Sequence, residues 1–232
     1  MNELYWFAML MVNFLSILLF YRILGKTGLY VWIPIAAIVA NIQVLKLVEL
    51  FGVSATLGNI VYASSFLVTD ILSENYGKRS ATKAVLIGFM ALIVSTLLFQ
   101  MALWFGPTGD DWAQEHLSAI FGFLPRIAFA SLLAFGVSQL HDVWAYNFWK
   151  KKWPSMKLIW LRNNLSTMVS QALDSIVFTL VAFAGVFPVD VLIEILLTTY
   201  LLKWVVAALD TPFIYWAVNL KKNGKIPEEI AE

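Results

Sequence analysis

The stretch Ser64–Lys83, SSFLVTDILSENYGKRSATK, decides how the rest of this chain is interpreted. It places Asp70 and Glu74 one helical turn apart near the end of an apolar run. A carboxylate within a bilayer costs about 3 kcal/mol on insertion scales, so it indicates a binding or transport site with a partner to be found. The alternative is structural: both carboxylates end a helix and pair with the basic residues that follow, Lys78, Arg79 and Lys83.

The composition is that of a membrane protein. Of the 232 residues, 60% are hydrophobic and 13% are charged, whereas about 25% of an ordinary soluble chain is charged. We therefore predict an all-α, polytopic membrane helix bundle. The net charge of +1, with basic residues scattered through short turns, argues against nucleic acid as a partner. With no cysteine and only two histidines, we expect neither a metal nor a cofactor.

Seven apolar stretches are long enough to cross the hydrocarbon core, which takes about 20 helical residues. They lie at 4–24, 29–50, 57–75, 80–106, 122–149, 158–186 and 188–219. The connections after the first, third, fifth and seventh stretches are rich in lysine and arginine, whereas the other connections carry neither. Because basic loops stay in the cytoplasm, we expect an N-terminus outside and a cytoplasmic C-terminus.

One lysine falls in the middle of a predicted span. Lys203 lies in LLTTYLLKWVVAALD, too far from the basic C-terminal segment to reach it by extending its side chain. Such a residue indicates a functional site. The structural alternative is a buried ion pair, with Asp210 two turns away or with Asp142 or Asp174 on other helices.

A short pattern occurs twice, on the fifth and sixth predicted spans. Residues 137–142 (VSQLHD) and 169–174 (VSQALD) both read VSQxxD. The Gln and Asp of each copy share a helix face, and the two spans run in opposite directions, so the copies can converge on one polar centre. Single polar residues in membrane helices more often hydrogen-bond between helices, and chance repetition is the other alternative.

These residues carry a family resemblance. The segments SSFLVTDILSENYGKRSATK, SQLHDVWAYNFWKKK, RNNLSTMVSQALDSIVFTL and TTYLLKW are similar to those of the bacterial queuosine precursor transporter family, also called the vitamin uptake transporter family. The resemblance implies a single integral membrane domain over 1–232. Within it, a six-helix core at 29–220 would resemble the substrate-binding subunits of energy-coupling-factor transporters, with an additional N-terminal helix in 1–28 and a cytoplasmic tail at 221–232.

The resemblance also implies a function. A multi-pass protein of the bacterial inner membrane, surrounded by lipid, would take up a 7-deazapurine base: 7-cyano-7-deazaguanine, its 7-aminomethyl analogue or queuine. One carboxylate can accept the N1–H and 2-amino groups of such a base together, while O6 needs a donor. The residues expected to bind the base are Asn41, Asp70, Glu74, Gln139, Asp142, Asn163, Gln171, Asp174 and Lys203.

Two other functions are weighed against uptake by this chain alone. A substrate-binding subunit would work with an ATP-driven energy-coupling module, for which the small residues Ala36 and Ala40 could form a docking face. The chain has no Walker motif, so a partner would have to hydrolyse ATP. An intramembrane enzyme is disfavoured, because the adjacent His141 and Asp142 point about 100° apart on a helix and no HExxH or GxSxG motif occurs. We therefore expect that the chain is not an enzyme.

Overall fold

A computed structural model of the chain describes residues 1–152 and 159–227. In these residues the chain forms seven helices and one two-stranded hairpin. The elements are α1 (Asn2–Gln43), β1 (Leu47–Leu50), β2 (Val53–Thr56), α2 (Asn59–Tyr76), α3 (Lys78–Leu103), α4 (Gln114–Phe121), α5 (Leu124–Lys152), α6 (Ile159–Phe183) and α7 (Val189–Lys222). The predicted all-α membrane bundle is confirmed.

Five predicted spans correspond to single helices within a few residues. The spans at 57–75, 80–106, 122–149, 158–186 and 188–219 are α2, α3, α5, α6 and α7. Among the described residues, α1, α3, α7 and the segment Gln114–Ser138 are both long and apolar enough to cross a membrane. The 18-residue helix α2 is not in that set, and it is the helix that carries Asp70 and Glu74.

The first two predicted spans lie within α1, which reverses direction at Gly25. Gly25 has φ 59° and ψ −142°, a conformation that a residue with a Cβ rarely adopts. A straight helix of 42 residues would be about 63 Å long. Instead, Asn2 Nδ2 donates to the Glu49 carbonyl (2.9 Å) and the Phe51 amide donates to Glu3 Oε1 (3.1 Å). The two arms of α1, 2–24 and 26–43, are therefore antiparallel.

The second predicted span, 29–50, is wrong at its C-terminal end. The helix ends at Gln43, and β1 pairs with β2 in an antiparallel hairpin that aligns Leu47 with Thr56. The two residues of the turn, Phe51 and Gly52, have φ of 53° and 80°, the left-handed pair that suits a tight two-residue hairpin turn. The physical reason lies in Lys46 and Glu49, which are exposed on the hairpin rather than placed inside a helix that must cross lipid.

The exposed and buried faces of α3 are those of a helix in lipid. Large apolar side chains are exposed along one face: Leu86, Met90, Ile93, Val94, Leu97, Leu98 and Met101. The opposite face is buried and carries small residues, including Ala84 and Gly88. A Cβ on Gly88 would lie 2.8 Å from Ile33 Cγ2 of α1. Small residues let helix backbones approach closely where no hydrophobic effect drives packing.

The chain divides into two compact units. The first is Met1–Pro125 with Leu201–Glu232, and the second is Arg126–Tyr200. The core of the first unit includes the N-terminal arm of α1, where Leu10, Phe14 and Ile17 are fully buried and Phe14 packs against Phe213 of α7. The N-terminal helix is thus an integral part of this unit. The division predicted from the resemblance, 1–28, 29–220 and 221–232, stays a prediction.

Candidate functional site

In the second unit, α5 and α6 pack antiparallel. Arg126, near the start of α5, donates from Nε to the Val181 carbonyl (2.8 Å) and from Nη2 to the Ala184 carbonyl (2.6 Å) near the end of α6. Further along, His141 Nδ1 lies 3.1 Å from Ser170 Oγ. These contacts set the two VSQxxD segments level with each other, so the first residue of one copy lies beside the last residue of the other.

Three of the described polar side chains of the two segments are buried. Ser138 is 5% exposed, Ser170 4% and Asp174 7%. Gln171 Oε1 is buried and has no hydrogen-bond partner among the described residues, one helical turn before Asp174. Two further polar side chains on α6, Ser175 and Thr179, are each 1% exposed. The described interior of this unit is therefore polar along α6, where Gln171 Oε1 and the Thr179 hydroxyl have no hydrogen-bond partner among the described residues.

For three of the predicted site residues the structure describes the helix but not the side chain. Gln139 and Asp142 are on α5 and Asn163 is on α6, but their side chains lie outside the described part of the chain. With Gln171 and Asp174 they make five of the nine predicted residues, and all five belong to the second unit. The other four, Asn41, Asp70, Glu74 and Lys203, belong to the first unit.

In the first unit, α7 runs parallel to α2. Lys203 Nζ lies 5.7 Å from the centre of the Tyr62 ring, and Lys203 is 6% exposed. Five turns further on, Lys221 Nζ donates to the Asn75 carbonyl and lies 3.7 Å from the centre of the Tyr76 ring. These contacts join the early residues of α2 to Lys203 and its last residues to Lys221, as the parallel direction of the two helices requires.

Between those contacts lie two carboxyl groups, Asp70 on α2 and Asp210 on α7. Asp70 lies eight residues after Tyr62 and Asp210 seven after Lys203, about 12 and 10 Å along their helices. The charges of Asp70 and Asp210 interact electrostatically, and Glu74 acts on Asp70 in the same way. Asp210 is 2% exposed, whereas Asp70 and Glu74 are exposed. From the sequence, Asp210 is considered only as an ion-pair partner for Lys203. The sequence feature that could have identified Asp210 as a further buried polar residue is its spacing of two turns from Lys203, which places both on one helix face.

Asn41 lies near the end of α1 that adjoins the hairpin. It is 8% exposed and its Nδ2 donates to the Ala37 carbonyl (2.7 Å) of its own helix. On the same arm, Ala36 and Ala40 are 1% and 4% exposed. A Cβ on Gly58, at the start of α2, would clash with the Ala40 carbonyl oxygen. The pair of alanines that could have formed a docking face therefore packs inside the protein.

Lysines from three connections meet at one end of the first unit. Lys26 Nζ lies 5.9 Å from the Tyr30 ring and 5.2 Å from the Tyr76 ring. Lys83 Nζ lies 5.5 Å from the Tyr30 ring, and Lys221 lies on Tyr76 as described. The basic residues after the first, third and seventh predicted spans are thus at the same end of this unit.

Apolar helices that bury carboxylates, amides and a lysine define a multi-pass membrane protein. Residues 56–217 match the family model described as "putative vitamin uptake transporter". The chain belongs to this family of transporters, and the resemblance drawn from its sequence is confirmed.

Curated relatives of the chain are similar over most of their length. It is 46% identical to the "Probable queuosine precursor transporter" of Bacillus subtilis (strain 168) over 224 residues, which is 97% of this chain and 98% of that protein. It is 28% identical to the "Queuosine precursor transporter" of Escherichia coli (strain K12) over 173 residues, 71% of this chain and 72% of that one. It is 29% identical to a "Probable queuosine precursor transporter" of Haemophilus influenzae over 165 residues, 69% and 65% of the two chains. No solved structure matches the chain.

Proposed function

We propose that this protein takes up a queuosine precursor, a 7-deazaguanine base, across the bacterial inner membrane. The candidates are 7-cyano-7-deazaguanine, its 7-aminomethyl analogue and queuine. Support comes from the names of three relatives, one of which is 46% identical over almost the full length of both chains. Because all three are named transporters, we also propose that the chain is not an enzyme.

The observation that carries the choice of ligand is the unsatisfied Gln171 Oε1 beside the buried Asp174. A buried acceptor without a partner costs about 1–3 kcal/mol, and a ligand N–H would recover that cost. A carboxylate one turn away can accept two further N–H groups side by side. The N1–H and 2-amino groups of a 7-deazaguanine supply such a pair of donors, whereas the corresponding edge of adenine does not.

The other residues proposed to bind the base fall into two sets. Gln139, Asp142 and Asn163 are proposed to complete the site in the second unit, since the VSQxxD segment of α5 lies level with that of α6. In the first unit we propose contributions from Asn41, Asp70, Glu74 and Lys203. The buried Lys203 beside the Tyr62 ring offers a cationic donor of the kind that the O6 atom of the base requires.

We propose an orientation with the N-terminus outside and the C-terminus in the cytoplasm. Two observations support it. The N-terminal residues Asn2 and Glu3 hydrogen-bond to the hairpin, whose turn has no lysine or arginine. Lys26, Lys83 and Lys221 lie together around Tyr30 and Tyr76, as expected for a cytoplasmic end.

Uptake by the purified chain in proteoliposomes tests the function. Labelled 7-cyano-7-deazaguanine should enter vesicles that contain this chain, and unlabelled adenine in excess should not compete. The alternative, a substrate-binding subunit of an energy-coupling-factor transporter, predicts binding without uptake until an ATP-driven module is added. Vesicles that neither bind nor take up the base would overturn the proposed function.

A further inference from the structure

Three lysines from different helices lie around two tyrosine rings at one end of the first unit. Lys26 follows the break in α1, Lys83 lies in the second turn of α3, and Lys221 lies in the last turn of α7. Lys221 Nζ is 3.7 Å and Lys26 Nζ 5.2 Å from the centre of the Tyr76 ring. These two ammonium groups are therefore within about 9 Å of each other, comparable with the screening length of physiological salt. Lys26 and Lys83 share the Tyr30 ring, at 5.9 and 5.5 Å from its centre.

Buried contacts hold the Tyr76 ring in place. The fully buried Tyr21 packs edge-to-face against it, with ring centres 6.4 Å apart and hydroxyl oxygens 3.3 Å apart. Asn75 donates from Nδ2 to the Tyr21 hydroxyl (2.9 Å), and Lys221 donates to the backbone carbonyl of Asn75. The lysine cluster is thus positioned by the interior of the protein, unlike lysines that only extend into water.

Two of the three lysines have no carboxylate partner in the part of the chain that the structure describes. Neither Lys83 nor Lys221 forms an ion pair there, and nor does the exposed Glu74, the carboxylate nearest in sequence to Tyr76. The faces of tyrosine rings attract ammonium groups, but the rings carry no net charge, and ammonium groups this close repel one another. An anion bound among the lysines would replace that repulsion with attraction.

The position of the cluster fits the headgroup level of a bilayer. Each lysine lies within two turns of a helix end or break, and tyrosine is enriched at this level. Further along α3 from Lys83, Leu86 and Met90 are 56% and 66% exposed. Their spacings of three and seven residues place them on the same helix face as Lys83. A cationic group followed by an apolar stripe matches the phosphate and acyl chain of a phospholipid, whereas a soluble phosphate would use only the lysines.

We propose that Lys26, Lys83 and Lys221 bind the phosphate headgroup of an anionic phospholipid, in the leaflet that the orientation proposed above makes cytoplasmic. Hydrogen bonds between ammonium and phosphate groups are charge-assisted and strong, and basic pockets between membrane helices bind such headgroups. The bound lipid joins α1, α3 and α7 at this end of the unit. None of the three lysines is among the residues proposed to bind the base, so this inference does not rest on the proposed uptake.

A titration of the purified full chain, without any base, tests the site. The chain is held in mixed micelles of dodecyl maltoside and phosphatidylcholine, and phosphatidylglycerol replaces the phosphatidylcholine stepwise. Melting temperature measures binding, native mass spectrometry counts the lipids retained, and inorganic phosphate at equal concentration tests a soluble source. The variants are Lys83→Gln and the triple change to glutamine at Lys26, Lys83 and Lys221. The matched control changes three exposed lysines at the ends of the same helices α3 and α7 or just beyond: Lys78, Lys222 and Lys225.

We expect phosphatidylglycerol to raise the melting temperature of the parent, with one lipid retained per chain. Its affinity should fall about fivefold in Lys83→Gln and about a hundredfold in the triple variant, from the usual contribution of one lysine near an anionic headgroup. The control variant, which loses the same charge, should bind as the parent does. Each variant is compared with its own melting temperature in phosphatidylcholine, so a less stable fold does not imitate a loss of binding.

Three results would overturn the proposal. Equal weakening in the control variant would mean a general attraction of basic residues to anionic lipid. Inorganic phosphate that stabilises the parent as much as phosphatidylglycerol would make this a site for soluble phosphate. Phosphatidylglycerol binding only to a chain shortened after Pro227, which lacks Glu228, Glu229 and Glu232, would assign the lysines to the acidic end of the chain. A parent that fails to take up the base would leave all three measurements unaffected.

Discussion

His141 Nδ1 and Ser170 Oγ lie 3.1 Å apart and join the two copies of the VSQxxD pattern. His141 is the fifth residue of the copy on α5, and Ser170 is the second residue of the copy on α6. Because the helices are antiparallel and the two copies are level, the fifth position of one copy lies opposite the second position of the other, and the same holds with the copies exchanged. The contact therefore aligns the pattern at 137–142 with its repeat at 169–174 on two neighbouring helices.

Replacing Gln171 with methionine should separate a structural role from a binding role. Methionine is similar in size and removes the unsatisfied Gln171 Oε1, so thermal stability should stay the same or rise. Affinity for 7-cyano-7-deazaguanine should fall by about 0.5–1.5 kcal/mol, the net value of one hydrogen bond. Melting curves and a binding titration check both effects. Lower stability with unchanged affinity would make Gln171 a structural residue.

Neutralising either carboxylate of the repeat should weaken binding without unfolding the protein. For Asp142→Asn and Asp174→Asn we expect the affinity for the base to fall by about 1.5–3 kcal/mol, the scale of a hydrogen bond to a charged group. Equilibrium binding by the purified variants measures it, with Asp190→Asn as the control at an exposed carboxylate. If both variants bind as tightly as the parent, the carboxylates only join helices.

The base specificity should follow from the donors on its edge. A 7-deazaguanine presents two N–H groups to a carboxylate, whereas adenine would leave a buried acceptor unpaired, at a cost of about 1–3 kcal/mol. We expect the melting temperature to rise with 7-cyano-7-deazaguanine and to change little with adenine at the same concentration. Equal stabilisation by the two bases would contradict this assignment.

Gly25 should tolerate no side chain. Its φ is 59°, and a Cβ would lie 2.9 Å from the carbonyl oxygen of Pro227, so Gly25→Ala should destabilise the fold by about 1–3 kcal/mol. The matched control is Gly136→Ala in α5, where a Cβ meets no atom within 4 Å and alanine favours the helix. Thermal melts of the two variants should shift in opposite directions. A Gly25→Ala protein as stable as the parent would show that α1 does not need its break here.

The proposed orientation can be measured with single cysteines, because the chain contains none. A cysteine at position 111, in the acidic connection after α3, should react with a membrane-impermeant thiol reagent in intact cells. A cysteine at position 225 should react only after the inner face is opened. The reverse pattern of labelling would invert the topology.

The sequence by itself determined the class, most of the helices and the family. Hydropathy and charge are local properties, so the apolar runs predicted α2, α3, α5, α6 and α7 within a few residues. The same signals were wrong for 47–50, because a short apolar run fits a strand as well as a helix. Here the chain turns at Phe51 and Gly52 and pairs with the residues that follow.

Only the tertiary structure decided which residues face each other. The reversal of α1 at Gly25, the alignment of the two VSQxxD segments and the contact of Lys203 with the Tyr62 ring all depend on how the helices pack together. Helix register comes from close packing, such as Gly88 against Ile33, and from contacts between residues far apart in the chain. No periodic pattern within one helix contains that information, because a helix has the same pattern whichever neighbour it packs against.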